Sequence, residues 1–325
     1  MYLLELIGED DAFSVFEAAC LAADVRLVAP GVAFADAVGP RISQIAHVRA
    51  ISRLVGRATN LDEAEQLLRN TSMPSDGSAA VRARSIRGAA VGSQPIERRL
   101  GAVFVQADLT IDLDDPDHVL RVVASGEDCF LGWQELVPGH GFSARQPTDR
   151  PFFRPGSLAP RLARAIVNMA GAGPGRTVLD PMCGTGGFAI EAGLVGATVL
   201  ASDIEPVMVA GTRENLRDYG LSGSTETYLA DACRLPLQDG IATAAVFDVP
   251  YGRQSSFGGR RPDRLVRASL LEADRLAARA VVLADRSLTE FIEETPWWLE
   301  RRLERRVHRS LTRHVHVLSH EECDR

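Results

Sequence analysis

Residues 175–206 read "GRTVLDPMCGTGGFAIEAGLVGATVLASDIEP". Thr177–Leu179 predict a buried strand that Asp180 ends. Gly184-Thr185-Gly186-Gly187 then predict a loop in which side chains would block close approach to the backbone. Phe188–Leu194 opens a helix, and Ala197–Ser202 predict a second strand ending in Asp203. Strand, glycine turn, helix and strand in this order make a parallel βαβ unit. Working outward, "YLADACRLP" (228–236) puts Asp231 at the end of a third strand. "AVFDVPYGRQ" (245–254) ends a fourth on Asp248, followed by Val249, Pro250 and Tyr251. Ligands of open α/β sheets sit outside the carboxyl ends of the strands, so four acids are expected to converge there.

A glycine loop by itself also suits a nicotinamide dehydrogenase. Two details count against that reading. The spacing is G-x-G-G, not the G-x-G-x-x-G that seats a pyrophosphate on a helix end. The loop is also preceded by Asp180, which would repel a diphosphate. An acid there suits a ligand carrying an ammonium and a sulfonium, namely S-adenosylmethionine. Asp203, about 20 residues beyond the loop, is placed for ribose hydroxyls. Asp231 is placed to accept from an adenine amino group.

The fourth strand's motif, with D-P-x-C-G-T-G at the first, resembles the S-adenosylmethionine-dependent amino-methyltransferases, over residues 148–325. That family carries [D/N]-P-P-[Y/F], and here Val249 stands at the first proline. The resemblance implies a Rossmann-like sheet of seven strands. "ARAVVLAD" (278–285), "WWLERRLERRVH" (297–308) and "LTRHVHVLSH" (311–320) supply the last three, the final two as a hairpin inserting an antiparallel strand. It also implies a mechanism. The Asp248 carboxylate and the main-chain carbonyl of Val249 hold the two hydrogens of an exocyclic amine, Pro250 stiffens the turn, and Tyr251 stacks on the base. Phe153, Thr185, Ile204 and Ala232 join Asp180, Gly184, Gly186, Asp203 and Asp231 as cofactor-binding positions. Cys183 is expected to pack beneath the loop and not to act as a nucleophile.

"DRPFFRPGSLAPRLARAIVNMAG" (149–171) and "DVPYGRQSS" (248–256) narrow the resemblance to archaeal and eukaryotic tRNA guanosine N2-methyltransferases. Upstream, "GPRISQIAHVRAISRLV", "AVRARSIRG", "PIERRLGAVF" and "TIDLDDPDHVLRVV" stand in the order of a ferredoxin-like domain (1–48) joined to a THUMP domain (49–147). This implies an α+β module gripping the acceptor end of tRNA, with guanosine 10 flipped into the catalytic domain (148–325); a guanosine at another tRNA or rRNA site, and a catalytically silent RNA-binding protein, stay open as alternatives. Arg82 and Arg84 alternate on one strand face toward phosphates, and Arg253 is a third RNA contact. Relatives of this kind often need a small zinc-binding activator protein. Here it would extend the third strand, "TETYLADA" (225–232), an expected sheet edge given apolar character by Tyr228 and Leu229.

The local pattern of the first half predicts strands at Tyr2–Ile7 and Val25–Val28 and helices at Ala12–Ala23, Ile42–Arg57 and Leu61–Leu68. "AAVRARSI" (79–86) and "VFVQADLTIDL" (103–113) read as strands around a helix at "PIERRLGAVF" (95–104). "HVLRVVASGEDCFLGWQEL" (118–136) reads as two strands about a glycine turn. The chain of 325 residues has net charge −7, and arginine supplies every basic side chain. The absence of lysine fits a GC-rich genome or a halophile, and composition does not separate them. Acidic balance normally counts against nucleic acid, but net charge does not locate the charges. Five scattered cysteines without a C-x-x-C pair argue against a disulfide framework and a zinc site. His308, His314, His316 and His320 have period-two spacing and are expected to face solvent, with no metal. No apolar run is long enough for a bilayer and no signal peptide opens the sequence, so a cytoplasmic protein is expected.

Overall fold

The computed structural model describes residues 1–139, 141–250, 261–308 and 311–320. The chain forms two compact units, 1–139 and 140–325. In the first unit the strands are β1 (Tyr2–Leu6), β2 (Ala22–Ala23), β3 (Arg26–Ala29), β4 (Val32–Ala35), β5 (Ala37–Val38), β6 (Val48–Ala58), β7 (Ser78–Ile86), β8 (Thr110–Ile111), β9 (His118–Ser125) and β10 (Asp128–Leu136). Its helices are α1 (Asp11–Ala19), α2 (Leu61–Arg69) and α3 (Ser93–Gln106). Eight of the strands form one sheet in the order β3-β4-β1-β6-β10-β9-β7-β8.

Two expectations fail here. Residues 42–57 are not a helix: only Ile42–Gln44 make a 3-10 turn, and β6 pairs with β1 on one side and β10 on the other. A central strand takes apolar residues on both faces, so Ile45, Val48, Ile51 and Leu54 mimic helical spacing while the β-branched side chains fit the pleat. Conversely, Val103–Gln106 end α3, whose Ile96, Leu100, Val103 and Phe104 share a buried face; only Thr110–Ile111 become strand. The helix at α2 starts as its sequence requires. The Asn60 side chain accepts from the Glu63 N–H at 2.9 Å, and the Glu63 carboxylate accepts from the Thr59 N–H at 2.8 Å.

The second unit contains α4 (Pro160–Met169), β11 (Thr177–Asp180), α5 (Gly187–Leu194), β12 (Thr198–Asp203), α6 (Pro206–Asp218), β13 (Thr225–Leu229), β14 (Ala244–Asp248), α7 (Pro262–Leu276), β15 (Arg279–Ala284), α8 (Thr289–Ile292), β16 (Trp298–His308) and β17 (Leu311–Ser319). The sheet order is β13-β12-β11-β14-β15-β17-β16. Neighbours from β13 to β15 are parallel, and β17 runs antiparallel between β15 and β16. This is the expected seven-stranded α/β sheet. Leu179, Ala245, Phe247 and Val282 lie in one buried cluster with Val266 and Leu270 of α7, which covers one face. The strand ends are thereby fixed, and with them the acids.

The third strand, β13, is the expected sheet edge, but it is less apolar on its outer side than its sequence suggests. Leu229 is exposed, but Tyr228 packs toward the core, where burial pushes its hydroxyl up to about 12. Arg213 of α6 donates to the Thr227 hydroxyl at 2.9 Å and the Thr227 carbonyl at 2.8 Å. A guanidinium thus occupies an acceptor that a bare edge would offer to another strand.

Candidate active site

The glycine loop leaves β11 in a conformation that two of its glycines make accessible: φ is +52° at Gly184 and +80° at Gly186. Neighbouring elements then staple it. Thr212 of α6 donates its hydroxyl to the Gly184 carbonyl at 2.8 Å. Asn215, one turn on, donates to the carbonyls of Thr185 and Phe152, each at 2.9 Å, and accepts from the Phe152 N–H at 2.9 Å. The segment around Phe152 is therefore tied to the loop through one buried amide. A side chain at Gly186 would meet Thr212 at 3.0 Å, whereas at Gly184 nothing lies within 4 Å. Gly184 faces open space, and Gly186 does not.

Four strands deliver their acids to this end of the sheet. Asp180 is fully buried, and neither carboxylate oxygen has a hydrogen-bond partner. Burial pushes its carboxyl well above the usual range; the nearby Met182 amide, short of hydrogen-bond geometry, opposes this, and Asp203 and Asp248 add to it. Asp203 accepts from the Gly184 N–H at 2.9 Å and the Glu205 N–H at 3.0 Å, which lower its carboxyl against a larger upward push from burial. Asp231 lies two residues beyond β13, not at its end, and accepts from the Cys233 N–H at 3.0 Å. Ala232 is buried beside it, while Phe153 and Ile204 are exposed apolar side chains.

Asp248 closes β14. Its Oδ2 lies 3.5 Å from the Arg313 guanidinium of β17, and its Oδ1 is buried without a partner. Burial pushes this carboxyl up to about 6, with Arg313 pulling it down and Asp285 adding to the rise. The Val249 side chain is in the core, and its N–H donates to the Leu283 carbonyl at 2.9 Å. Proline could not make that bond. The valine therefore anchors the turn through the ladder.

Other residues fall differently. Tyr251 and Arg253 lie outside the described residues; Pro250 is described and half-buried. Cys183 is buried, its thiol pushed well above its ordinary value by burial, and its Sγ is 3.6 Å from the Thr212 hydroxyl. A thiol so placed is a packing group. Of the C-terminal histidines expected to face solvent, His320 does, whereas His314 and His316 do not, and the His308 side chain lies outside the described residues. His316 is fully buried, accepts from the Leu288 N–H at 3.0 Å, and is held down to about 4 by burial. His314 is mostly buried, and His320 stacks on Trp297 with ring centroids 4.5 Å apart. The segment that follows β15 covers this face of β17, where Leu288 meets His316. Among the described residues no group of three acidic, histidine or cysteine side chains could hold a metal ion, and no helix is long and apolar enough to cross a membrane. In the first unit, Arg82 donates to the Leu113 carbonyl and Arg84 pairs at 2.8 Å with buried Glu5, which Arg49 and Arg121 also meet. The residues that sequence reading missed are Thr212, Asn215 and Arg313. The first two carried a signal: polar side chains in register with Val209 and Leu216 on the inward face of α6.

A glycine loop and strand-end acids, on a seven-stranded sheet whose last strand is antiparallel, define a Rossmann-like methyltransferase. The RMKL-like methyltransferase domain family (UPF0020) matches residues 147–315. The tRNA (guanine(10)-N2)-dimethyltransferase of Methanothermobacter thermautotrophicus is 36% identical over 286 residues, covering 85% of this chain and 83% of the relative. The Pyrococcus abyssi protein of the same name is 31% identical over 250 residues, 74% of each chain. The chain belongs to the RMKL-like methyltransferases, in the family of tRNA guanine-N2 methyltransferases that these archaeal proteins exemplify. In fold it resembles TrmN from Thermus thermophilus, with TM-score 0.55 and 24% identity over 98% of this chain and 99% of that one.

Proposed function

We propose that the protein methylates the exocyclic N2 amine of guanosine 10 in tRNA, using S-adenosylmethionine. The observation that carries this reading is Asp248: a half-buried carboxylate whose Oδ1 is itself buried without a partner, at the carboxyl end of a central strand. A buried acceptor left unsatisfied is costly, and a substrate donor relieves it. Two features fit the cofactor. Asp180 is a buried carboxylate with both oxygens unpartnered, matched to a cationic ligand, and the open space at Gly184 admits close approach to the backbone. Asp203, Asp231, Phe153, Ile204 and Ala232 complete the set that would hold it. When bound, S-adenosylmethionine supplies an electrophilic methyl on a sulfonium.

The amine of guanine is a weak nucleophile because its lone pair is delocalised into the ring. Asp248 Oδ1 accepts one of its hydrogens and the Val249 carbonyl the other, drawing the nitrogen toward a pyramidal form. With its carboxyl near 6, Asp248 is ionised at neutral pH and close enough to the operating range to take the proton the amine loses. Tyr251 stacks on the base. Residues 1–48 and 49–147, read as ferredoxin-like and THUMP segments, hold the tRNA, with Arg82, Arg84 and Arg253 near its phosphates; the arginines around Glu5 support this. Such an enzyme works in the cytoplasm, on tRNA. A zinc-binding activator that extended β13 would have to displace Arg213 from Thr227, and co-expression with light scattering decides whether one binds.

The test is nucleoside mass spectrometry of tRNA incubated with protein and S-adenosylmethionine, beside a transcript with guanosine 10 replaced by adenosine. Methylguanosine formed only on the first supports the reading. Equal methylation of both transcripts moves the target elsewhere, and none on either overturns it.

A further inference from the structure

The insertion of β17 places a cation where no neighbouring strand end supplies one. β14 and β15 are parallel, so both bring their carboxyl ends to the site; β17 is antiparallel, so it brings its first residues there. Arg313 thus reaches Asp248 Oδ2 at 3.5 Å, although the two residues lie far apart in sequence. Among the described residues the other charges facing Asp248 are acids: Asp285 just beyond β15 and Asp180 at the end of β11. Arg313 is only 7% exposed. A buried ion pair is often no better for stability than apolar side chains of the same volume. A pair kept here, separated by more than a close charge-assisted bond, acts on the carboxylate through its field.

We infer that Arg313 is a positioning residue for Asp248: it engages Oδ2, keeps the carboxylate charged between two other acids, and leaves Oδ1 as the acceptor presented to the amine. This rests on the function proposed above.

The experiment compares full-length wild type with Arg313→Met, Arg313→Gln and Arg313→Lys. Single-turnover methyl transfer to tRNA is followed from about pH 5 to pH 9, with cofactor affinity measured by calorimetry. In the wild type the rate is expected to fall below a limb near pH 6. In the Met and Gln variants that limb moves up by about one to three pH units, the range for removing an adjacent opposite charge. The rate recovers at high pH and cofactor affinity stays within about two-fold, since the group Arg313 engages, Asp248, is assigned to the base and not to the cofactor. Lysine restores most of the limb. Should the Met variant not fold, the Gln variant carries the test. A uniform loss of rate with an unmoved limb, or a Lys variant no better than Gln, overturns the inference. The same midpoint is read without turnover, from the pH dependence of the unfolding difference between Asp248 and Asp248→Asn chains, with Arg313 intact and with Arg313→Gln. If the wild type transfers no methyl but this midpoint moves, the functional reading falls and the control of Asp248 by Arg313 stands. If it does not move, the inference falls as well.

Discussion

Replacing Asp248 by asparagine is expected to stabilise the second unit while abolishing methyl transfer. Burial raises this carboxyl from its ordinary 3.8 to about 6, against the pull of Arg313. Ionising it there costs about 1.4 kcal/mol per pH unit of that displacement, roughly 3 kcal/mol in all. Asparagine has the size of the neutral acid and leaves Arg313 in the same state, so the figure transfers to the variant. It is an upper bound, because the side chain is 25% exposed and water screens the charge. The sign follows from the raised folded value. Below about pH 3, under the ordinary 3.8 of the unfolded chain, the acid is mostly neutral in both folded and unfolded chains, and the variant has no advantage. As pH rises through the folded value the wild type acquires the full cost, complete above about pH 6. Urea unfolding of both proteins at about pH 3, 6 and 8 measures it, with an expected advantage near zero at the lowest and about 2–3 kcal/mol at the highest. A gap independent of pH, or a less stable variant at pH 8, would refute the reasoning.

Asp203→Ala removes the acceptor of the Gly184 and Glu205 amides, and calorimetry is expected to show cofactor binding weakened by about 1–3 kcal/mol. Gly184→Ala and Gly186→Ala separate space from conformation, since both have positive φ but only Gly186 meets a neighbour. Both should lower the unfolding midpoint through about 1–2 kcal/mol of strain; Gly186→Ala loses more stability, and Gly184→Ala loses more cofactor affinity than its stability explains. Glu191→Gln leaves Arg145 and Arg164, at 3.1 Å and 2.7 Å, buried around a neutral group. Chemical denaturation should register a loss of about 3–5 kcal/mol, with the tRNA site unaffected in the protein that remains folded.

Asp180, Asp203 and Asp248 were legible because each closes a largely apolar strand, a local pattern that survives into three dimensions; Asp231 falls past the end of its strand. So was the glycine loop, whose residue type follows from backbone conformation. What was not legible depends on neighbours that the local pattern does not name. Residues 48–58 carry apolar groups for two faces, and only pairing with β1 and β10 makes them a strand. His316 alternates as a solvent-facing residue would, and is buried because the segment after β15 folds over that face of the sheet, where Leu288 donates to it. Arg313 reads as an ordinary surface charge until the antiparallel insertion carries it to Asp248. Val249 reads as a loss of rigidity, yet it gains a ladder bond that proline cannot make.

The strand order also bears on how the protein folds. β15 and β16 do not pair with each other; both wait for β17, which follows them in the chain. The parallel strands β11 to β15 can assemble with their helices before that, through contacts closer in sequence. β16 and β17 form a hairpin of their own, and it docks onto β15 as a unit. A chain caught before docking holds the glycine loop and all four acids but lacks the guanidinium beside Asp248, and it exposes β15 as an apolar edge. Cofactor binding would survive in such a species and turnover at neutral pH would not, so the ratio of the two measures how much of a preparation has finished folding.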